Sequence, residues 1–188
     1  MSNQKALNRE VLEIVILPWF ASWPKVRRVL FVGCAEYTCD YDSHFAGHDF
    51  YTIDVDPSAA QYGAGPNHHF VDSVENAHRY FQPTSLNAIL LNGVFGYGLD
   101  DPRRAEKVVT LCYDILLEHG ILMIGWNDLP QCKPFEPLSL IALGRFDRLE
   151  LDALAVTPGV RRLGHGDYLV EDDYQHVFSF FEKADNTG

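Results

Sequence analysis

Apolar residues in this chain fall into two alternating patterns. Short unbroken runs end at Gly, Asp or Asn, and longer stretches repeat apolar positions every three or four residues. The run Val29-Leu30-Phe31-Val32 passes straight into Gly33. With no polar face, it suits a strand buried on both sides, as in a parallel sheet. The same reading places strands at Asp49–Val55, His68–Val71, Leu86–Leu91 and Ile121–Ile124. Between them lie helical stretches. Leu7, Val11, Ile14, Val15 and Leu17 stripe a helix over Asn3–Phe20, with Lys5, Arg9, Glu10 and Glu13 between them and Pro24 as its stop. Its aromatic end, Trp19, Phe20 and Trp23, either packs on the sheet or covers a ligand as a lid. Short helices are expected at Tyr37–Gly47, Ser73–Phe81 and Leu138–Leu143. Asp100-Asp101-Pro102 opens a longer helix, with Val108, Val109, Leu111, Cys112, Ile115 and Leu116 on one face. It is expected to run to about Glu118 and stop at His119-Gly120.

Towards the C-terminus the pattern changes. Leu149–Val156 alternates apolar and polar residues and reads as a strand, Pro158–Asp173 as a long connection, and His176–Glu182 as a last strand near the sheet edge. Asp185–Gly188 reads as a frayed tail. Repeated strand–helix alternation followed by a strand pair predicts an α/β fold. It is a doubly wound, mostly parallel seven-stranded sheet with an antiparallel edge hairpin, in one domain over residues 1–188.

Charge and cysteine usage narrow the partners. Lys and Arg number 15 against 26 Asp and Glu, a net charge of −11, which disfavours nucleic acid or an anionic membrane as the main partner. The four cysteines, Cys34, Cys39, Cys112 and Cys132, form no C-x-x-C pair. No run is long enough to span a membrane, and the apolar run Val11–Phe20 lacks a signal-peptide pattern. A cytoplasmic protein with reduced thiols is expected.

The candidate chemistry sits where strands end, the ligand side of an open α/β sheet. Gly33 permits a sharp turn and close approach of a ligand to the backbone. Asp54 ends the second strand, where a carboxylate can accept from vicinal hydroxyls, while Asp56 and Ser58 suit the following turn. Asp72 and Ser73 end the third strand, Asn92 to Gly98 follow the fourth, and Gly125-Trp126-Asn127-Asp128 follow the fifth. His68 and His69 point to opposite faces of a strand, so no metal site is expected there.

Taken together, these strand ends resemble the class I S-adenosylmethionine-dependent methyltransferases, well over Val26 to Asp128 and in outline beyond. The resemblance implies a Rossmann-like methyltransferase fold with S-adenosylmethionine as cofactor. Gly33, with Cys34 and Ala35, matches the turn beside its methionine part. Asp54, with Val55, matches the acid that holds the ribose hydroxyls, Asp72 and Ser73 the acid site near adenine, and Asn92 the catalytic mouth. The turn departs from the family pattern: Phe31 replaces an acid, Ala35 and Tyr37 replace glycines, and Asn87 stands for the usual acid inside strand four. Tyr37 must either turn outward or crowd the methionine moiety.

Methyl transfer asks for alignment, exclusion of water and, where the acceptor is protonated, a base. Asp128 and His44 are the candidate bases, with His165 beside them, and Asn92, Trp126 and Asn127 would shape the acceptor site. The N-terminal helix and the loops at Tyr97, Pro130–Pro137 and Gly159–Asp173 would wall a pocket for a small-molecule acceptor. The alternative is a methyltransferase-like binding or scaffold protein without turnover. A nicotinamide-dependent oxidoreductase would need G-x-G-x-x-G, where this chain reads Gly33-Cys34-Ala35-Glu36-Tyr37-Thr38.

Overall fold

Period-two alternation inside β1 (Arg28–Val32) divides the core in two. Val29 and Phe31 face one side of the sheet and Leu30 and Val32 the other, all nearly inaccessible to solvent. Burial of each such side chain stabilises the fold by about 1.5–3 kcal/mol. A computed structural model describes residues 5–184, and in it this strand is central. It pairs in parallel with β2 (Asp49–Asp54) on one side and β4 (Leu86–Asn92) on the other. β3 (His69–Val71) adds in parallel to β2, and β5 (Leu116–Asn127) to β4. The sheet continues antiparallel through β9 (His176–Lys183), β8 (Asp167–Val170) and β7 (Val160–Gly164). β6 (Phe146–Arg148) shares the outer edge of β9 with β8.

The fold class stands as expected from the sequence, but the strands among the described residues number nine rather than seven. The alternating stretch after residue 148 is not a strand. Leu151 and Leu154 turn into the core three residues apart, the first as the N-cap and the second within a short helix at Asp152–Ala155. Strand pairing falls just before it, in β6, and the expected connection folds into the β7–β8 hairpin.

Helix α1 covers residues 7–22 and lies on the Phe31 face, with Val11, Leu12, Ile16, Leu17 and Phe20 buried. A π-turn at Leu12–Ile16 shifts its phase. Consequently Ile14, expected on the apolar stripe, is 72% exposed, while Leu12 and Ile16 are buried. Asn3 and the expected tail at Asp185–Gly188 lie outside the described residues. Helix α2 (Pro102–Ile115) lies on the opposite face. It starts where the sequence places it, the Asp101 carboxylate accepting from the Arg103 amide at 2.7 Å. It stops three residues before Glu118, because Leu116 already pairs with Leu86 in β5. From β9, the buried Lys183 ammonium donates to the Tyr113 and Leu116 carbonyls, both at 2.8 Å, closing that helix end. The segment read as its stop, His119-Gly120, is instead an irregularity within β5. The other expected helices are short 3₁₀ turns, at Glu36–Thr38, Tyr41–Phe45, Val74–Arg79, Pro137–Ser139 and Ile141–Arg145. No helix among the described residues is long and apolar enough to cross a membrane.

Candidate active site

A cavity of about 500 Å³ opens at the C-terminal ends of the parallel strands. That volume is typical of a site for a small ligand. Its wall includes Gly33, Cys34, Ala35, Asp54, Val55, Asp72, Ser73 and Asn92. Parallel pairing puts all of these strand ends on the same rim.

The turn after β1 is built around Asp54. Gly33 has φ +89°, a conformation that favours glycine, and its amide donates to the Ile53 carbonyl at 3.0 Å. That turn aims the Cys34 amide at Asp54 Oδ2 (2.7 Å), while the Asp56 amide donates to Oδ1 (2.8 Å). An ionised carboxylate accepts about four hydrogen bonds, so each oxygen keeps capacity for a ligand hydroxyl. Asp56 serves the next turn, accepting from the Ser58 amide and hydroxyl. Burial, with Asp54 adding to it, pushes the Cys34 thiol up to about 11, so it stays protonated and is no nucleophile at neutral pH.

Asp72 is more fully occupied. Its oxygens accept from the Ser73 amide (2.7 Å), the Asn76 side chain (2.7 Å) and the Tyr80 hydroxyl (3.0 Å), with Arg79 at 3.4 Å. These donors, Asn76 foremost, hold its carboxyl below the usual range. Of the two arrangements open to Tyr37, the outward one is found: it stands at the rim, 47% exposed. The Arg9 guanidinium lies 3.9 Å from the centre of its ring.

The other end of the cavity is a polar network in which Asn92, Asn127 and Tyr97, all expected near the site, meet His176, which the sequence did not point to. His176, 5% exposed, places Nδ1 2.6 Å from Asn127 Oδ1 and Nε2 3.1 Å from Asn92 Oδ1. Asn127 in turn donates from Nδ2 to the Tyr97 hydroxyl at 2.8 Å. Burial drives the imidazole down to about 3, so it is neutral and carries one N–H. That proton goes to Asn127, whose own NH₂ is committed to Tyr97, and the Asn92 amide must therefore present its NH₂ to Nε2. Space for this comes from Gly125: a Cβ there would lie 2.1 Å from Asn92 Oδ1 and 2.8 Å from His176 Nε2. The one sequence signal for His176 is a lone polar residue opening the apolar run Val177-Phe178.

The expected bases lie elsewhere, and neither Asp128 nor His44 lines the cavity. Asp128 pairs with Lys133 at 2.5 Å, and His44 sits on the turn that buries Tyr41 and Phe45. His165 pairs with Glu150 at 2.6 Å on the β7–β8 side. Trp126 is buried in the core on the α2 face, because strand alternation turns it away from Asn127. Asn87 accepts from the Arg27 and Arg28 amides (3.0 and 2.9 Å), a structural role at the start of β4. Of the expected walls, the first turns of α1 (Ala6, Asn8, Arg9, Leu12) and Tyr97 line the cavity, whereas the loops at Pro130–Pro137 and Gly159–Asp173 do not. Among the described residues, no group of three or more His, Cys, Asp and Glu side chains could hold a metal ion.

No protein-family model and no curated protein matches the chain by sequence. Solved structures match it by fold. N-methyltransferase NodS from Bradyrhizobium japonicum WM9, in complex with S-adenosyl-L-homocysteine, superposes with a TM-score of 0.66 at 16% identity, covering 97% of this chain and 90% of that one. A TehB-like SAM-dependent methyltransferase from Corynebacterium glutamicum gives 0.61 at 16% identity, covering 94% of each chain. An rRNA methylase from Streptococcus thermophilus gives 0.57 at 16% identity, covering 92% and 97%. At these identities the likeness is one of fold, and it extends over nearly the whole chain.

Proposed function

We propose, for a chain with the class I S-adenosylmethionine-dependent methyltransferase fold, that it transfers a methyl group from S-adenosylmethionine to a small-molecule acceptor. The observation that carries this reading is the meeting of Gly33, Asp54, Asp72 and Asn92 on the wall of one cavity. The donor set suits an adenosyl ligand. Asp54 has unused acceptor capacity for two ribose hydroxyls, the turn at Gly33 brings bare backbone to the ligand, and Ser73 and Val74 offer an edge for a flat base. In NodS, the same fold is found with S-adenosyl-L-homocysteine. When bound, S-adenosylmethionine supplies an already activated methyl group.

What the chain's own residues do then follows from their protonation. His176 is neutral with both ring nitrogens engaged, and burial, with the neighbouring Cys132 adding to it, raises the Tyr97 hydroxyl so that it stays protonated. No group at this end is poised to remove a proton at neutral pH. The acceptor therefore brings its own lone pair, as a neutral nitrogen heterocycle or an already ionised group does. Asn92, Tyr97 and Asn127 hold it in line and exclude water. The uncharged lining at this end suits a small molecule better than a polyanion such as nucleic acid.

Calorimetry with S-adenosylmethionine and S-adenosylhomocysteine tests the site; absence of heat with either at high concentration would remove it. Binding without turnover is the second reading, favoured by the lack of a free base at the His176 end of the cavity. It predicts cofactor binding with no methylated product from any member of a metabolite panel, and one methylated product would dismiss it.

A further inference from the structure

Hydrogen bonds at the His176 end run in one direction. The neutral ring has a single N–H, and the shorter of its two contacts, 2.6 Å from Nδ1 to Asn127 Oδ1, takes it. Nε2 is then a bare lone pair 3.1 Å from the Asn92 amide, which turns its NH₂ inward. Asn127 passes the same sense on, donating from Nδ2 to the Tyr97 hydroxyl at 2.8 Å. Two valences are left over. One is Asn92 Oδ1, the branch of that amide without a partner among the described residues. The other is the Tyr97 hydroxyl hydrogen, whose protein acceptor is Cys132 Sγ at 3.7 Å, a weak one. Both residues line the cavity, Asn92 half-buried and Tyr97 59% exposed. Val94, Tyr174 and Phe178 add apolar and aromatic wall. The charged groups of the wall, Arg9, Asp54, Asp72 and Arg104, hydrogen-bond to none of the network's members.

We infer that His176 is a positioning residue that fixes the polarity of the acceptor subsite, so that it takes a planar, uncharged molecule with an N–H for Asn92 Oδ1 and a lone pair for the Tyr97 hydroxyl. The inference rests on the methyl-transfer reading above and names an acceptor class for it: lactams and related nitrogen heterocycles that carry a donor and an acceptor together. One ring N–H serves the whole chain of bonds, so the two ends are opposite in sense. Moving that proton to Nε2 would reverse both ends at once, and a doubly protonated ring would offer two donors. A ligand with a donor alone, or an acceptor alone, leaves one end unpaired. A charged ligand finds no counter-charge within the network.

NMR reads the polarity directly. In the chain with ¹⁵N-labelled histidine, long-range ¹H–¹⁵N spectra at pH 7 should show the His176 proton on Nδ1 and a bare Nε2, the signals being assigned by their loss in His176→Gln. A proton on Nε2, or on both nitrogens, overturns the inference. Ligand titrations on the native chain saturated with S-adenosylhomocysteine test the class. 4-Quinolone and isoquinolin-1-one carry both functions at two different spacings, isoquinoline has a lone pair alone, and indole an N–H alone. At least one of the first two should bind about three- to tenfold tighter than isoquinoline and indole, the scale of one additional net hydrogen bond. His176→Phe keeps a flat ring and removes both nitrogens. It should cut that preference to less than about twofold, while His176→Gln, which offers one NH₂ and one carbonyl, restores part of it. The native-chain titration stands even if His176→Phe fails to fold. No preference for either two-function ligand, or a preference that survives His176→Phe unchanged, overturns the role of His176, while bound S-adenosylhomocysteine leaves the cofactor reading standing. If S-adenosylhomocysteine does not bind, the methyl-transfer reading falls and this inference with it.

Discussion

The two ends of the cavity are built by opposite rules. At the Asp54 end, carboxylates stand partly open to solvent and are served by backbone amides from the turns beside them. At the His176 end, the buried side chains of His176 and Asn127, with the half-buried Asn92 and the more exposed Tyr97, are neutral and satisfied by one another. The first end has spare acceptor capacity and can take a polar ligand without rearranging. The second has little to spare, so a ligand there must match the network's remaining valences or replace one of its partners. The first arrangement suits a common cofactor and the second a particular acceptor.

The sharpest way to break this contrast is to remove the charge that organises the first end. Asp54→Ala should weaken S-adenosylhomocysteine about 100-fold, since ligand hydroxyls and the Cys34 amide lose one acceptor together; calorimetry on the folded variant measures it. An unchanged affinity would mean that the two ends do not divide the work as described. Gly125→Ala should strike the second end alone. Its Cβ would collide with Asn92 and His176, at a cost of about 1–3 kcal/mol in stability. Thermal unfolding reads that cost, while S-adenosylhomocysteine affinity should hold within about threefold.

Acidity offers a quieter probe. The folded pKa of His176, about 3, lies below its unfolded value of 6.5, so the unfolded chain binds the extra proton between them. Stability is therefore full above pH 6.5 and falls as the pH drops below it. Urea titrations at pH 7 and pH 5 should show the native chain losing roughly 2 kcal/mol more than His176→Gln over that interval. Equal slopes would mean that the imidazole is charged in place. The smallest effect is expected from Asp72→Asn. Donors already occupy that carboxylate, so S-adenosylhomocysteine affinity should move within about threefold.

The same contrast marks how far the sequence could be read. The parallel strands are legible because each carries an apolar, β-branched or aromatic run that ends at a glycine or a short polar side chain. Parallel order then brings Gly33, Asp54, Asp72 and Asn92 to one rim without any long-range guess. The second end depends on antiparallel register, which sets His176 opposite Asn127, residues 49 apart in sequence. No local signal encodes that pairing. Hence Asp128, His44 and His165, polar residues near strand ends or in loops, read as bases in the sequence, and none of them lines the cavity. The strand expected at Leu149–Val156 fails for a related reason. An alternating stretch whose two deeply buried leucines lie three apart fits a single helical turn as well as a strand, and packing against β8 and β9 decides, through the Tyr168 hydroxyl and the Phe180 carbonyl.

The widened turn in α1 has a consequence for how this cavity could drift over time. Downstream of Leu12–Ile16 the helix is anchored by Leu17 and Phe20; upstream it presents Arg9 to the ligand side. Deleting one residue within the widened turn would swing Arg9 around the axis by about 100° and leave the anchor as it is. A single codon lost there could re-aim one of the cavity's two arginines without touching any strand.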